Sequence, residues 1–203
     1  MSSTAPAGVA NPHEWGSTGL PHRKVLMWAF LGSDCMFFGS LIATYLAYKG
    51  KSLAGPYPHQ ILNIPVTSTS TFVLLCSSFL MVLALAAIQH NDLKKFRTWC
   101  FGTAFFGLIF LGFQVFEFTE FYHHGLSLSR NLFGSTFFVL TGTHGCHVAV
   151  GVIWLLSLFA YSFTGKLDSS RSLDVEIAGL YWHFVDIVWI VIFTVVYLVE
   201  FVS

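Results

Sequence analysis

The stretch from Leu180 to Trp189, LYWHFVDIVW, lies inside an apolar run that continues to Phe201. Its two ionisable residues, His183 and Asp186, are one helical turn apart and therefore share a helix face. A polar side chain at membrane depth is costly unless it finds a partner, so such residues usually face protein or a water-filled path. The run predicts a membrane-spanning helix that packs against a specific neighbour.

The composition of the whole chain is typical of a membrane protein. Of its 203 residues, 55% are hydrophobic, 17% aromatic and only 10% charged, and the mean hydropathy is +0.68. A soluble domain averages about 25% charged residues, so a soluble fold would lack polar surface. Because the net charge is zero, we expect no nucleic acid partner. The cysteines form no close pair and are expected to be small packing residues: Cys35, Cys76, Cys100 and Cys146.

Five apolar runs are long enough to cross a bilayer, since a span needs roughly 20 residues. They predict an all-α polytopic integral membrane protein with five transmembrane helices, the last four forming a bundle. A mobile polar tail over residues 1–24 precedes the transmembrane domain, residues 25–203. The predicted spans are about 25–48, 66–89, 99–122, 132–163 and 175–201.

Lysine and arginine are distributed unevenly between the two sides of the predicted bundle. Seven lie on the side of the N-terminal tail and three lie on the other side. Because cytoplasmic segments carry the excess of basic residues, we expect a cytoplasmic N-terminus and an external C-terminus. The seven are Arg23, Lys24, Lys94, Lys95, Arg97, Lys166 and Arg171, and the three are Lys49, Lys51 and Arg130.

Small residues recur at helical spacing along the first and fourth spans. Such ridges let helix backbones approach closely in lipid, where no hydrophobic force drives association. The spacing therefore predicts close helix contacts along both ridges. They are Cys35, Gly39, Ala43 and Ala47 in the first span, and Gly134, Gly142 and Cys146 in the fourth.

Polar side chains lie at membrane depth in four of the five spans, with no lysine or arginine well inside any span. Histidines are therefore expected to be the only cationic partners of the intramembrane acids. A spacing of three places Gln114 with Glu117, His144 with His147, and His183 with Asp186 on common helix faces. The full set is Asp34, Gln114, Glu117, His144, His147, Glu176, His183 and Asp186.

Four interpretations of this polar set remain open from the residues alone. His144, His147 and Glu117 have the ligand types of a metal site. One of the two histidines in the fourth span could oppose His183 across a haem. Glutamate, histidine and aspartate together could also form a proton relay. The fourth possibility, to which we give most weight, is a hydrogen-bonded network that fixes the helix packing.

Several long motifs resemble subunit III of the haem–copper terminal oxidases. GSTFFVLTGTHGCHVAVG, Gly134 to Gly151, and LYWHFVDIVWIVIFTVVYL, Leu180 to Leu198, are similar to the signature helices of that family. FLGSDCMFFGSLIATYLAY, Phe30 to Tyr48, resembles a further helix, as do Pro65 to Ser78 and the pair Gln114 and Glu117 with Phe118. The resemblance covers the chain beyond the tail and is to the short five-span bacterial form. Asp34 stands where many cytochrome c oxidase members carry glutamate. The bo-type branch carries aspartate followed by cysteine at this position, as this chain does.

The resemblance implies an accessory subunit of a proton-pumping aerobic respiratory oxidase in the bacterial inner (plasma) membrane. It implies no catalytic residue, redox cofactor or metal in this chain, since haem and copper belong to partner subunits I and II. It also implies bound phospholipid, for which Arg23 and Lys24 are head-group candidates. Asp34 is expected to face subunit I. The structural polar network is expected to comprise Gln114, Glu117, His144, His147, Glu176, His183 and Asp186.

The function most strongly implied is that of a caa3-type cytochrome c oxidase subunit, and its alternatives come from the same family or from other classes of membrane protein. The subunit III of a bo-type quinol oxidase and the related subunit of nitric oxide reductases are the nearest. An integral b-type cytochrome that carries electrons itself belongs to another class. A proton-coupled transporter is disfavoured, because no two-fold repeat or helix broken by glycine and proline is apparent.

Overall fold

Long helices make up nearly all of the described chain in the computed structural model, which describes residues 20–51, 64–123, 126 and 132–199. A 3-10 turn, Ser169–Arg171, leads into the last helix, and a π-helical turn, Thr194–Leu198, continues it. The helices are α1 His22–Tyr48, α2 Ile64–Gln89, α3 Leu93–His123, α4 Leu132–Ser162 and α5 Ser172–Phe193.

The predicted fold class is confirmed by these helices. All five are long and apolar enough to cross a membrane, and the described residues contain no strand. The largest difference from prediction is the start of α3, which lies at Leu93 rather than near residue 99. Asp92 caps this end by accepting a hydrogen bond from the Lys95 amide, at 3.1 Å. Basic side chains there can extend to the head groups, so the helix continues beyond the apolar run.

The last four helices form a ring in which each packs on two neighbours. α2 packs against α3 and α5, and α4 packs against the same two helices from the other side. α1 lies outside this ring and packs against α4 and α5. The predicted tail boundary at residue 24 falls inside α1, while residues 1–19 and 200–203 lie outside the described residues.

Close helix approach inside the ring depends on glycines that accommodate a buried indole. A Cβ atom at Gly107 of α3 would lie 2.6 Å from the Trp182 ring, and one at Gly151 of α4 would lie 2.8 Å from it. The Trp182 indole of α5 therefore fits between the backbones of α3 and α4. Because these atoms are packed so closely, a single added methyl group would break or strain the contact. Gly145 similarly leaves room for the Gln114 amide, 2.6 Å from a Cβ at that position.

The small residues predicted to mediate close packing behave differently in the two helices concerned. In α4, Cys146 is exposed, and a Cβ at Gly142 would reach only one side chain, that of Phe118 at 3.8 Å. The closest contacts of α4 are instead at Gly145 and Gly151, although Gly134 of the predicted ridge is buried. In α1 all four ridge residues are exposed within the described part of the chain: Cys35, Gly39, Ala43 and Ala47.

Candidate functional site

The predicted polar residues occupy several separate clusters along the bundle. Residues that share a face by their spacing of three do not hydrogen-bond to each other within the described residues. With the exception of Asp186, each instead contacts a neighbouring helix, so the set connects the bundle at several levels.

Glu117 of α3 lies in a buried cluster near one end of the bundle. Its carboxyl accepts a hydrogen bond from the Thr67 hydroxyl of α2, and the Tyr197 hydroxyl lies 3.4 Å from its second oxygen. Tyr197 belongs to the π-helical turn, a deviation that re-aims side chains and often marks functional regions. All three side chains are buried, so α2, α3 and the end of α5 meet at one acid.

Asp34 of α1 forms the one pair of an intramembrane acid with a histidine in the described part of the chain. Its carboxyl lies 3.7 Å from His147 Nε2 of α4, and its side chain is only 13% exposed. His147 Nδ1 bonds the Thr143 carbonyl at 2.8 Å, and the ring packs edge-on against Phe38. Asp34 thus lies in the seam between α1 and α4.

His144 is fully buried and is held by aromatic rings. Its Nε2 lies 3.1 Å from the Val185 carbonyl of α5, which connects α4 to α5. The imidazole stacks on Trp189 at 4.9 Å and meets Phe110 edge-on at 5.8 Å. These rings fill the space beside the imidazole, an arrangement that suits packing rather than ligand binding.

Gln114 joins α3 to α4 one turn away from Glu117. Its Nε2 donates to the Thr141 carbonyl at 2.7 Å, against the gap left by Gly145. In lipid there is no water to bind the polar amide, so its hydrogen bond to a carbonyl of the neighbouring helix holds the two helices together. Gln114 therefore acts in the structure as a connection between two helices.

His183 of α5 meets α2 at the hydroxyl of Ser78, whereas Asp186, on the same face of α5, makes no such bond in the described part of the chain. His183 Nδ1 lies 2.6 Å from Ser78 Oγ. The Asp186 carboxyl is buried, and neither of its oxygens makes a hydrogen bond of standard geometry within the described residues.

Two further bonds between α2 and α5 involve residues that sequence reasoning missed. Trp182 Nε1 donates to Ser77 Oγ at 3.0 Å, and Trp189 Nε1 donates to Thr71 Oγ1 at 2.9 Å. Each is buried, and each contributes roughly 0.5–1.5 kcal/mol net while avoiding a larger penalty for an unpaired N–H. The signal for them is the hydroxyl-rich run of residues 67–78, TSTSTFVLLCSS, inside a predicted span.

Ion pairs connect α1 to α5 at the end of the bundle where α1 begins. Arg23 Nη1 lies 2.5 Å from Asp174 Oδ1, and Lys24 Nζ contacts Glu176 Oε1. The expectation that histidines alone would neutralise the intramembrane acids was therefore wrong for Glu176. Lysine side chains are long enough to reach a carboxyl one turn inside the neighbouring helix.

Two cavities meet at Arg23, whose side chain is 68% exposed. One, of about 520 Å³, is polar and lies between the start of α1 and the start of α5. The other, of about 490 Å³, is a mainly apolar groove along α1. The polar cavity is lined by Pro21, His22, Arg23, Ser170, Arg171, Leu173 and Asp174, and the groove by Arg23, Leu26, Met27, Phe30, Trp154 and Ile177.

Two carboxyls in the connections between helices are held by local hydrogen bonds. Asp168 accepts from the Ser170 hydroxyl at 2.5 Å and from the Ser170 amide at 3.1 Å, and these bonds lower the pKa of its carboxyl. The Lys95 amide, followed by the Lys95 side chain, lowers the pKa of Asp92. Both are helix-capping groups.

No group of three or more histidine, cysteine or acidic side chains is placed to hold a metal ion among residues 20–51, 64–123, 126 and 132–199. His144, His147 and Glu117, the residues with metal-ligand types, each bind a different partner. The geometry favours connections between helices.

Known proteins resemble this chain over most of its length. The family model described as cytochrome c oxidase subunit III matches residues 23–201. A cytochrome c oxidase subunit 3 from Bacillus sp. (strain PS3) is 41% identical over 176 residues, 87% of this chain and 85% of that protein. The quinol oxidase subunit 3 of Bacillus subtilis (strain 168) is 37% identical over 171 residues, 84% of each chain. A probable quinol oxidase subunit 3 from Staphylococcus saprophyticus is 35% identical over 181 residues, 89% of this chain and 90% of that protein. The chain therefore belongs to the cytochrome c oxidase subunit III family.

Proposed function

We propose that this chain is the accessory third subunit of a proton-pumping aerobic terminal oxidase in a bacterial plasma membrane. It supports the catalytic subunit I, assembles with subunits I and II and holds phospholipid, while haem and copper reside in those partners. Cytochrome c is the proposed electron donor, supported by the relative at 41% identity. A quinol donor is the alternative, supported by relatives at 35% and 37% identity.

The observation that carries the proposal is the open face of α1. Nothing lies within 4 Å of a Cβ built at Gly32 or Gly39, and the ridge residues beside them are exposed. Helices in lipid associate through such small residues, because they allow backbones to approach closely. We therefore place a helix of subunit I against this face. Asp34 lies between α1 and α4, and would then be next to the contact between α1 and the helix of subunit I.

The polar network has a structural role in this proposal. Its members connect helices in pairs, and the rings around His144 occupy the space that a haem would need. An absorption spectrum of the separated subunit without a haem band is expected, and a stoichiometric haem would favour the b-type cytochrome instead. Connections of this kind hold the bundle rigid where it supports the catalytic subunit.

The cavities at Arg23 support the proposed lipid site. A phosphate head group fits a polar cavity that contains His22, Arg23 and Arg171, and an acyl chain fits the apolar groove that continues from it. Arg23 is paired with Asp174 and Lys24 with Glu176, but of the two basic residues Arg23 is the one that lines the polar cavity. Phospholipid that remains with the complex through purification, and is lost in an Arg23→Ala, Arg171→Ala double variant, is the expected result.

The proposed orientation places the N-terminus in the cytoplasm. Basic residues gather at one end of the helices, around Arg23, Lys95, Arg97 and Arg171, as the positive-inside rule requires for a cytoplasmic face. Cysteine introduced at Ser203 is expected to react with an impermeant reagent from outside the cell. Reaction only from the cytoplasmic side would contradict this orientation.

The central experiment is copurification with a tagged form of this chain. The wild-type chain is expected to bring down a haem-containing oxidase that consumes oxygen with reduced cytochrome c. Gly39→Leu, on the open face of α1, is expected to abolish that copurification. Gly112→Leu is the matched control, since Gly112 is an exposed glycine of α3 with nothing within 4 Å of its Cβ position. Equal recovery of the oxidase with both variants would refute the proposed α1 interface, and activity with quinol alone would favour the alternative donor.

A further inference from the structure

Asp34 of α1 and His147 of α4 meet near the middle of their helices. Asp34 Oδ2 lies 3.7 Å from His147 Nε2, and the side chains are 13% and 22% exposed respectively. The Phe38 ring packs against the imidazole, with 4.9 Å between the ring centroids. Asp34 Oδ2 accepts no hydrogen bond of standard geometry within the described residues, so its charge depends on the contact with His147.

The hydrogen bond on the other side of the imidazole determines one of its two protonation sites. His147 Nδ1 lies 2.8 Å from the carbonyl oxygen of Thr143. A carbonyl oxygen can only accept a hydrogen bond, so Nδ1 carries a hydrogen and donates it. The nitrogen that faces Asp34, Nε2, is therefore the one that carries either a lone pair or a second hydrogen.

The pair has three possible proton counts, and one of them leaves no net charge. With no proton between them, a carboxylate faces the lone pair of Nε2 and the pair has a negative charge. With two protons, a neutral acid faces an imidazolium and the charge is positive. With one proton the pair is neutral overall, as membrane depth favours. Among the described residues no lysine or arginine forms an ion pair with Asp34 that could replace this proton.

The neighbouring titratable groups on α4 and α5 do not neutralise the pair. The Tyr181 hydroxyl of α5 donates to the His147 carbonyl at 3.0 Å, and a hydroxyl that donates keeps its proton. His144, one turn away on α4, is fully buried and directs Nε2 at the Val185 carbonyl. An imidazole in that position is neutral, because no acid compensates a charge there.

We propose that Asp34 and His147 form a binding site for a single proton, held between Asp34 Oδ2 and His147 Nε2, that joins α1 to α4. The proton forms either an N–H bond, which gives an ion pair, or an O–H bond, which gives a neutral acid beside a neutral imidazole. A side-chain movement of about 1 Å would turn the present contact into a hydrogen bond in either arrangement. This site rests on contacts within the chain and goes beyond the support role proposed above.

The test counts the protons on the pair in the purified complex at neutral pH. 15N NMR of ring-labelled histidine shows which nitrogens of His147 are protonated, and the difference spectrum against His147→Gln assigns its signals. Infrared spectroscopy detects the carbonyl band of a protonated Asp34, which Asp34→Asn lacks. We expect a doubly protonated His147 without that band, the band with an unprotonated Nε2, or fractions of both that sum to one proton. Both signals at full strength, or neither, would overturn the proposal.

His144 is the matched control, because it lies on the same helix and faces a carbonyl instead of an acid. It is expected to have one protonated nitrogen in the wild type and in Asp34→Asn alike. In Asp34→Asn we expect His147 Nε2 to be unprotonated, and a doubly protonated His147 there would also overturn the proposal. If Asp34→Asn does not fold, Asp34→Glu replaces the aspartate band by a glutamate band, and 13C labelling of either residue type then assigns it.

Discussion

α1 and α5 are both apolar helices, but they are held in the molecule by different means. Across an 18-residue apolar stretch of each, 17% of the α1 residues and 56% of the α5 residues are buried. α5 packs Trp182 between two glycines and hydrogen-bonds its indoles to α2. α1 is joined by ion pairs at one end and by the pairing of Asp34 with His147.

The difference indicates which contacts are complete within this chain. Apolar packing in lipid gains little from hydrophobicity alone, so stability must come from close fit and hydrogen bonds. α5 has both along most of its length. α1 has them on one side, and its other side carries the small residues that a neighbouring helix requires. The ring of four helices is thus held by contacts of its own, while we propose that α1 is completed by a partner.

The largest expected effect comes from filling the space that Trp182 occupies. Gly107→Ala adds a methyl group 2.6 Å from that ring, which must shift, and overpacking of this kind costs about 1–3 kcal/mol. Gly112→Ala, on the same helix with open space around it, is expected to leave stability unchanged or slightly raised. Reversible unfolding in mixed micelles measures both. Equal stability of the two variants would mean that α5 is not held by this fit.

A smaller loss is expected from removing one acceptor between α2 and α5. Ser77→Ala leaves the buried Trp182 N–H without a partner, and we expect a cost of about 1 kcal/mol, the lower end for an unpaired buried donor, since the indole can shift slightly. Ser40→Ala in α1 is the comparison, because Ser40 is exposed and bonds only its own helix. The same unfolding assay is expected to show a loss for the α2 variant alone.

The ion pairs of α1 are expected to contribute less. Lys24 and Glu176 are each about a quarter to a third exposed, and exposed pairs contribute about 0.2–1 kcal/mol. Lys24→Glu is expected to weaken α1 docking, and the charge-exchanged double variant Lys24→Glu, Glu176→Lys is expected to recover it. Unfolding at low and high salt gives the coupling energy, which should decrease with salt. A coupling indistinguishable from zero at both salt concentrations would show that α1 is held elsewhere.

The smallest effect concerns Asp168 in the turn before α5. Hydrogen bonds from Ser170 hold the pKa of this carboxyl below its ordinary value of 3.8. Because the pKa in the folded state is lowered, these bonds stabilise the turn at neutral pH, and their contribution is lost as pH falls through that pKa. A carboxyl NMR titration is expected to give a midpoint below 3.8. Ser170→Ala should raise the midpoint, and no change would show that the hydroxyl does not bind the carboxylate.

The five helices could be predicted from the sequence because length and hydropathy suffice for that purpose. The arrangement of partners could not. A spacing of three tells which residues share a face, as for His183 and Asp186, but not which helix that face meets. The hydroxyls of Ser77 and Thr71 were overlooked, since serine and threonine in a span usually bond their own backbone.

The positions of close packing were equally hard to foresee. Every glycine lacks a side chain, but among the described glycines a Cβ would come within 3.0 Å of a side chain on another helix at Gly107, Gly145 and Gly151. Their importance depends on where Trp182 and Gln114 project, which depends on helix rotation. The lipid contacts predicted for Arg23 and Lys24 stay a prediction, but their ion pairs with acids of α5 could not be foreseen, because residue spacing does not show which carboxyl a long side chain reaches.

The position of α5 in the chain has a consequence for biosynthesis. Among the described helices it is synthesised last, yet it supplies the indoles that occupy the glycine gaps and bind the α2 hydroxyls. Until it is inserted, the three helices of the ring that precede it expose those gaps and hydroxyls to lipid. A product truncated before α5 would therefore keep these gaps unfilled and these hydroxyls without the indoles, and we expect membrane quality-control proteases to recognise it.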